Sequence, residues 1–165
     1  MERNTRSATE RNRVMQSDCP FCVGGDVRSR IISEDALVRA FTTNIPIVPG
    51  HTIVCPRRHV TTAAELANDE LTALRRLLTN VQASMRSALG AEGFNIAWNE
   101  GRLAGQSVDH LHVHIVPRTR GDAGITTYEP RTFLYRPGSR STSPEHELRA
   151  VAALLRARLP KTHTG

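Results

Sequence analysis

His110-Leu111-His112-Val113-His114-Ile115-Val116 alternates imidazole and aliphatic side chains without a break. Side chains along a β-strand point to opposite faces with period two. The alternation therefore predicts a strand over Asp109–Val116, ended by Pro117. His110, His112 and His114 then project from one face, and Leu111, Val113 and Ile115 enter a core from the other. Imidazole titrates near neutral pH, so a row of three can supply a nucleophile, a proton donor and a ligand or orienting group. One histidine on the outer face of a half-buried strand would mean little. Three of the chain's seven at strict alternation mark a functional segment.

Upstream of this stretch, Glu100–Ser107 reads as a glycine-containing loop and Phe94–Trp98 as a strand. Before them, Leu71, Leu74, Leu78, Val81, Met85 and Leu89 recur at steps of three and four. That spacing predicts a helix over about Asp69–Leu89, with Asn68 as N-cap and Gly90 as the stop. Ala36–Thr42 and His51–Cys55 read as strands, the second ended by Pro56. Between them Pro46 and Pro49 remove ladder donors, so Asn44–Gly50 is a loop. Downstream, Gly, Arg, Ser and Thr dominate residues 118–142. A last helix is expected from Ser143 as N-cap and Pro144 as first helical position, carrying Leu148, Val151, Leu155 and Leu159. Strands and helices without regular β-α-β alternation indicate an α+β fold with an antiparallel sheet.

The 165 residues suit one domain, divided into a polar, aperiodic and disordered tail (residues 1–17), a domain bearing the histidine row (18–118) and a loop-and-helix extension (119–165). No apolar run is long enough to span a bilayer, and the Arg-rich start lacks the apolar stretch of a secretory signal. The expectation is a cytoplasmic protein that does not engage a membrane. A net charge of +6 suits an anionic ligand, but much of the surplus sits near the two ends and only 4% of residues are aromatic. Nucleic acid, which is bound on aromatic platforms when single-stranded, is therefore disfavoured as a partner. Cys19-Pro20-Phe21-Cys22 has the spacing of a metal or redox pair. Cys55, between Val54 and Pro56, reads as a packed core thiol. His146 and His163 read as surface residues.

Three motifs in order resemble the histidine triad family of nucleotide hydrolases and transferases. The first is the triad itself, His110–Val116. The second is Asn99-Glu-Gly-Arg-Leu-Ala-Gly-Gln-Ser-Val108, similar to the family's phosphate loop. The third is Pro46-Ile-Val-Pro-Gly-His-Thr-Ile-Val-Cys-Pro-Arg-Arg-His-Val60, similar to its other signature. Together they span about residues 19–118. The resemblance implies a five-stranded antiparallel sheet, where the residues alone indicate four strands. It also implies a homodimer, for which the Asp69–Leu89 helix and the Phe94–Trp98 strand are the expected contacts.

The implied activity is cleavage at the α-phosphate of a purine nucleotide conjugate, either a phosphoramidate or a dinucleoside polyphosphate, through a nucleotidyl-histidine intermediate. His112 takes the nucleophile's place. Asn99, Gln106, Ser107, His114 and the backbone amides of Gly105–Ser107 take those of the phosphate contacts, and Ser107 assists the departing group. A neutral imidazole is a competent nucleophile at pH 7, and phosphoryl transfer otherwise needs positioning and charge stabilisation. A transferase acting on a phosphate acceptor and a non-catalytic nucleotide-binding regulator are the alternatives. Zinc-bearing members use a Cys-x-x-Cys pair with two histidines, which maps a structural zinc onto Cys19, Cys22, His59 and His110. His51 is given a structural role near the nucleotide pocket. Where many members carry an acidic ribose contact before the first proline, this chain has Thr43 and Asn44. Leu37, Phe41 and Ile45 are the apolar candidates for the base pocket.

Overall fold

The computed structural model describes residues 18–122 and 142–160. The expected tail over residues 1–17, most of the 118–142 loop and His163 lie outside the described residues. Five strands form one antiparallel sheet: β1 (Ile31–Glu34), β2 (Val38–Thr42), β3 (Thr52–Pro56), β4 (Gly93–Ala97) and β5 (Val113–Arg118), in spatial order β1-β2-β3-β5-β4. With two short helices, α1 (Pro20–Val23) and α2 (Gly25–Ser29), and two longer ones, α3 (Asn68–Leu89) and α4 (Glu145–Ala157), the fold is α+β, as the sequence indicates. None of these helices is long and apolar enough to cross a membrane.

The strand alternation divides the interior into two cores. Val38, Ala40, Val54, Val113 and Ile115 face one side, where α3 and α4 cover them with Ala73, Leu74, Leu77, Val81, Met85, Ala152 and Leu155. Phe41, Ile53 and Cys55 face the other, where they meet Val27 and Phe21 from the N-terminal turns. Helices thus close one face of the sheet and leave the other for the site.

Several boundaries differ from the sequence reading. β1 is the fifth strand, hidden in the sequence because it is short and half polar, with a bulge between Ile31 and Ser33. β5 starts at Val113, not Asp109, because Leu111 N–H donates to Val60 O (2.6 Å) and His110 N–H to Val108 O (2.7 Å) instead of joining a ladder. It also continues through Pro117, which pairs with Phe94. The α3 cap is Ala67, not Asn68, and its N–H is satisfied by the Glu70 carboxylate at 2.9 Å. Leu71 is 55% exposed, so the buried stripe runs instead through Leu74, Leu77, Val81 and Met85. Gly90 does end the helix, in the left-handed conformation at φ 67°. The last helix begins at Glu145 with Pro144 as its cap, one position later than the sequence suggests.

Gly50 turns the chain into β3 at φ +90°, and a Cβ there would meet Leu89 Cδ1 at 2.5 Å. Only glycine fits this corner.

Candidate active site

The triad histidines occupy the entry to β5 instead of a continuous strand face. His110, at the end of a bend over residues 108–110, and His112 lie before it, and His114 is the second residue of the strand. His110 and His112 are buried and His114 is half-buried. Leu111, Val113 and Ile115 are buried as the alternation predicts, with Val113 and Ile115 in the main core, but His110 and His112 are buried too, so only His114 of the three histidines is partly exposed.

Hydrogen bonds fix the ring tautomers. His112 Nδ1 lies 2.7 Å from His110 O. A carbonyl oxygen only accepts, so Nδ1 carries the proton and the lone pair resides on Nε2. His51 Nδ1 accepts the Ile47 N–H at 3.1 Å, which places its own proton on Nε2. That proton is donated to His114 Nδ1, 3.0 Å away. His114 therefore carries its proton on Nε2 and is set to donate. His51 is buried in direct contact with the triad, a contact the sequence does not show, because it depends on β3 pairing with β5.

His112 and His114 line a cavity of about 270 Å³ with Ser107, Val108, Pro20, Phe21, Phe41, Thr43, Asn44, Ile45 and Ile53. Of the three apolar candidates for a base pocket, Phe41 and Ile45 lie here. Leu37 instead packs against the core on the opposite face of the sheet. Asn44 is exposed on the rim, beside buried Thr43.

The phosphate-type loop is braced from within. Gln106 is buried, its Oε1 accepting the Gly101 N–H (2.6 Å) and its Nε2 donating to Thr61 O (2.9 Å). Asn99 Nδ2 reaches Gly105 O at 3.4 Å. The Gly105 and Gln106 amides donate to Arg102 O and Gly101 O, so the turn itself uses donors that the sequence reading assigned to an anion. Gly105 closes this turn at φ +92°. Ser107 is left exposed on the cavity wall with its hydroxyl and amide facing no partner among the described residues.

Beside this lies a second constellation. Helix α1 turns Cys19 and Cys22 toward one point, and His59 and His110 reach it from elsewhere in the chain. One ligand atom from each lies within 4.8 Å of all the others. His110 Nδ1 is 3.4 Å from both sulfurs, and His59 Nδ1 is 3.5 Å from Cys22 Sγ. A tetrahedral zinc with bonds of about 2.1–2.3 Å has edges of about 3.4–3.8 Å, so the donors are spaced for one ion. The protonation chemistry fits as well. His110 Nε2 donates to Pro56 O at 2.9 Å, which leaves the Nδ1 lone pair toward the sulfurs. Burial holds the His110 pKa down at about 4, so the ring is neutral at pH 7. Burial, with Cys19 alongside, pushes Cys22 up to about 12, so a bare site holds a thiol there that a metal must deprotonate. Cys55 is fully buried, its thiol pushed up by burial, as a core thiol should be.

Fold and triad together define a histidine triad protein: a profile of the HIT domain matches residues 25–121, and the chain belongs to that family. Among its relatives, the adenosine 5'-monophosphoramidase of Schizosaccharomyces pombe is 35% identical over 109 residues, covering 65% of this chain and 79% of that protein. An asymmetrical bis(5'-nucleosyl)-tetraphosphatase of the same yeast is 38% identical over 96 residues, covering 58% of this chain and 53% of the enzyme. A zinc-bound histidine triad family protein from Mycobacterium smegmatis has a similar structure, with TM-score 0.64 and 29% identity, covering 86% of this chain and 96% of that one.

Proposed function

We propose that this protein hydrolyses a purine nucleotide conjugate at its α-phosphate through a nucleotidyl intermediate on His112. The observation that carries this reading is the His112 Nδ1–His110 O hydrogen bond, which puts the nucleophilic lone pair on Nε2 of a ring lining the cavity. Nε2 attacks phosphorus as the bond to the leaving group breaks. The departing atom takes the Ser107 hydroxyl proton and leaves neutral, as the amine from a phosphoramidate, and solvent water at the exposed side chain returns a proton to Ser107. His114, held by His51, donates its Nε2 proton to a phosphoryl oxygen, while the loop braced by Asn99, Gly105 and Gln106 keeps Ser107 in place. Water then releases the nucleoside monophosphate from His112, so one hard displacement becomes two easier ones. The nucleoside lies along Phe21, Phe41, Ile45 and Ile53, with Thr43 and Asn44 at its ribose. Relatives that bear hydrolase names support this class of activity.

Between the two conjugates, the phosphoramidate is favoured. A cavity of about 370 Å³ shares Pro20, Ser107 and Val108 with the first and is lined by Asp18, Asp109 and His59, with no lysine or arginine among the described residues around it. Such a wall suits an amine leaving group better than an anionic polyphosphate. Zinc held by Cys19, Cys22, His59 and His110 supplies a structural tie between the N-terminal turn and the triad. We further place the protein in the cytoplasm as a homodimer. β4 is an edge strand, with Ile96 and Trp98 exposed along or just beyond it, and Leu71 is exposed on α3. Steady-state turnover of an adenosine phosphoramidate beside a diadenosine polyphosphate tests the reading. Faster release of AMP from the phosphoramidate is expected. Binding of AMP with turnover of neither compound would make the protein a nucleotide-binding regulator instead.

A further inference from the structure

Phe21 stands between the two thiols of Cys19-Pro20-Phe21-Cys22, and it belongs to both constellations. Its ring meets His112 edge-on at 5.2 Å between centroids and His110 at 5.9 Å. It also packs edge-on against Phe41 at 5.3 Å. With Pro20 it forms part of the wall of the cavity that holds His112 and His114. The turn that carries it joins no strand. Its backbone is tied to the sheet by Arg39 Nη1, which donates to Phe21 O at 3.0 Å. Its strongest available anchor is ligation, because Cys19 and Cys22 share one point with His59 and His110, residues 37 to 91 positions away in sequence.

We infer that Phe21 is a positioning residue that couples metal binding to nucleotide binding. A metal ion drawing Cys19 and Cys22 onto His59 and His110 fixes the turn between them. The fixed turn sets the Phe21 ring as the nucleoside wall and as the edge against the nucleophile. This inference rests on the nucleotide reading given above. Coupling of this kind is reciprocal: whatever factor the metal adds to nucleotide affinity, the nucleotide adds to metal affinity. A purely structural metal site, remote from the cavity wall, would show no such exchange.

The test uses the full chain, with AMP and zinc as the probes. Calorimetry compares AMP affinity of the zinc-loaded and the chelator-stripped protein, and competition with a chromophoric chelator measures zinc affinity with and without saturating AMP. AMP is expected to bind about tenfold more weakly to the stripped protein, and AMP is expected to raise zinc affinity by the same factor, within the ordinary range of such couplings. Phe21→Ala keeps all four ligands. It should still take up zinc, bind AMP more weakly, and show no effect of AMP on zinc affinity; Phe21→Leu should recover part of that effect. Equal AMP affinity in loaded and stripped protein, or undiminished coupling in Phe21→Ala, would overturn the inference. If stripping melts the sheet by circular dichroism, the Phe21→Ala comparison on loaded protein decides. Failure of the loaded wild type to bind AMP at all would instead remove the nucleotide reading on which the coupling depends.

Discussion

The His112 Nδ1 proton is held by a carbonyl two residues back, and the His114 tautomer is set by a histidine 63 positions away. The first contact joins two residues that the triad's spacing singled out together, so the pair, though not the bond, was legible. The second was not: His51 stands beside Gly50 at the start of a strand, and nothing in the sequence states that β3 will lie against β5. Replacing His51 with leucine should preserve the fold but leave the His114 ring without its buried partner. Losing buried hydrogen bonds of this kind, to His114 and to the Ile47 N–H, costs about 1–3 kcal/mol, so the melting temperature should fall by about 2–12 °C, and kcat, measured where the variant is still folded, should fall about 5- to 150-fold. Kinetics and a thermal melt on the same sample check this. Gln106 teaches the opposite lesson. The motif reading gave its side chain to the phosphate, whereas both ends of that side chain brace the loop through Gly101 and Thr61.

Elements were easier to find than to delimit. The α3 periodicity was readable, but leucine at a helical spacing did not tell Leu71 from Leu77, and only the sheet's position shows which one is buried. The triad's alternation predicts a strand from Asp109, yet the backbone bends over residues 108–110 and pairing starts at Val113. Helix α4 lies beyond the motif-bearing span but packs Ala152 and Leu155 into the main core, and Ser84 Oγ donates to Leu155 O. Leu155→Ala should therefore cost about 2–5 kcal/mol in chemical denaturation, as a core truncation does.

At the start of α3, the Arg58 guanidinium forks onto the Glu70 carboxylate at 3.0 and 2.6 Å and holds its pKa below the usual value. A carboxylate depressed in the folded state stabilises it above the unfolded pKa of about 4.3, and that contribution is lost as pH falls through the folded value. Unfolding free energy should drop with acidification below about pH 4.3, and Glu70→Gln should flatten this part of the profile. An unchanged slope in that variant would remove the assignment.

Over the whole molecule, one face of the sheet is closed by helices and the other by the Cys19–Ser29 turns, so the Cys/His cluster and the cavity of His112 share a wall. The ligand set was legible as residue types, since Cys-x-x-Cys and two histidines stand in motif positions; that they converge on one point is a property of the fold. Protein purified without added zinc should carry about one equivalent, as a four-ligand site requires. Cys19→Ser should lower the melting temperature by at least about 5 °C, because binding energy at a structural site is folding energy. The central claim is that His112 becomes covalently nucleotidylated. Its most direct test is rapid alkaline quench of the enzyme with a labelled adenosine phosphoramidate, followed by mass spectrometry of the peptide spanning Asp109–Val116. An adenylyl group on His112, absent from His112→Ala and formed more slowly in His114→Ala, is the expected result; an adduct on His110 or His114, or wild-type turnover by His112→Ala, would contradict it.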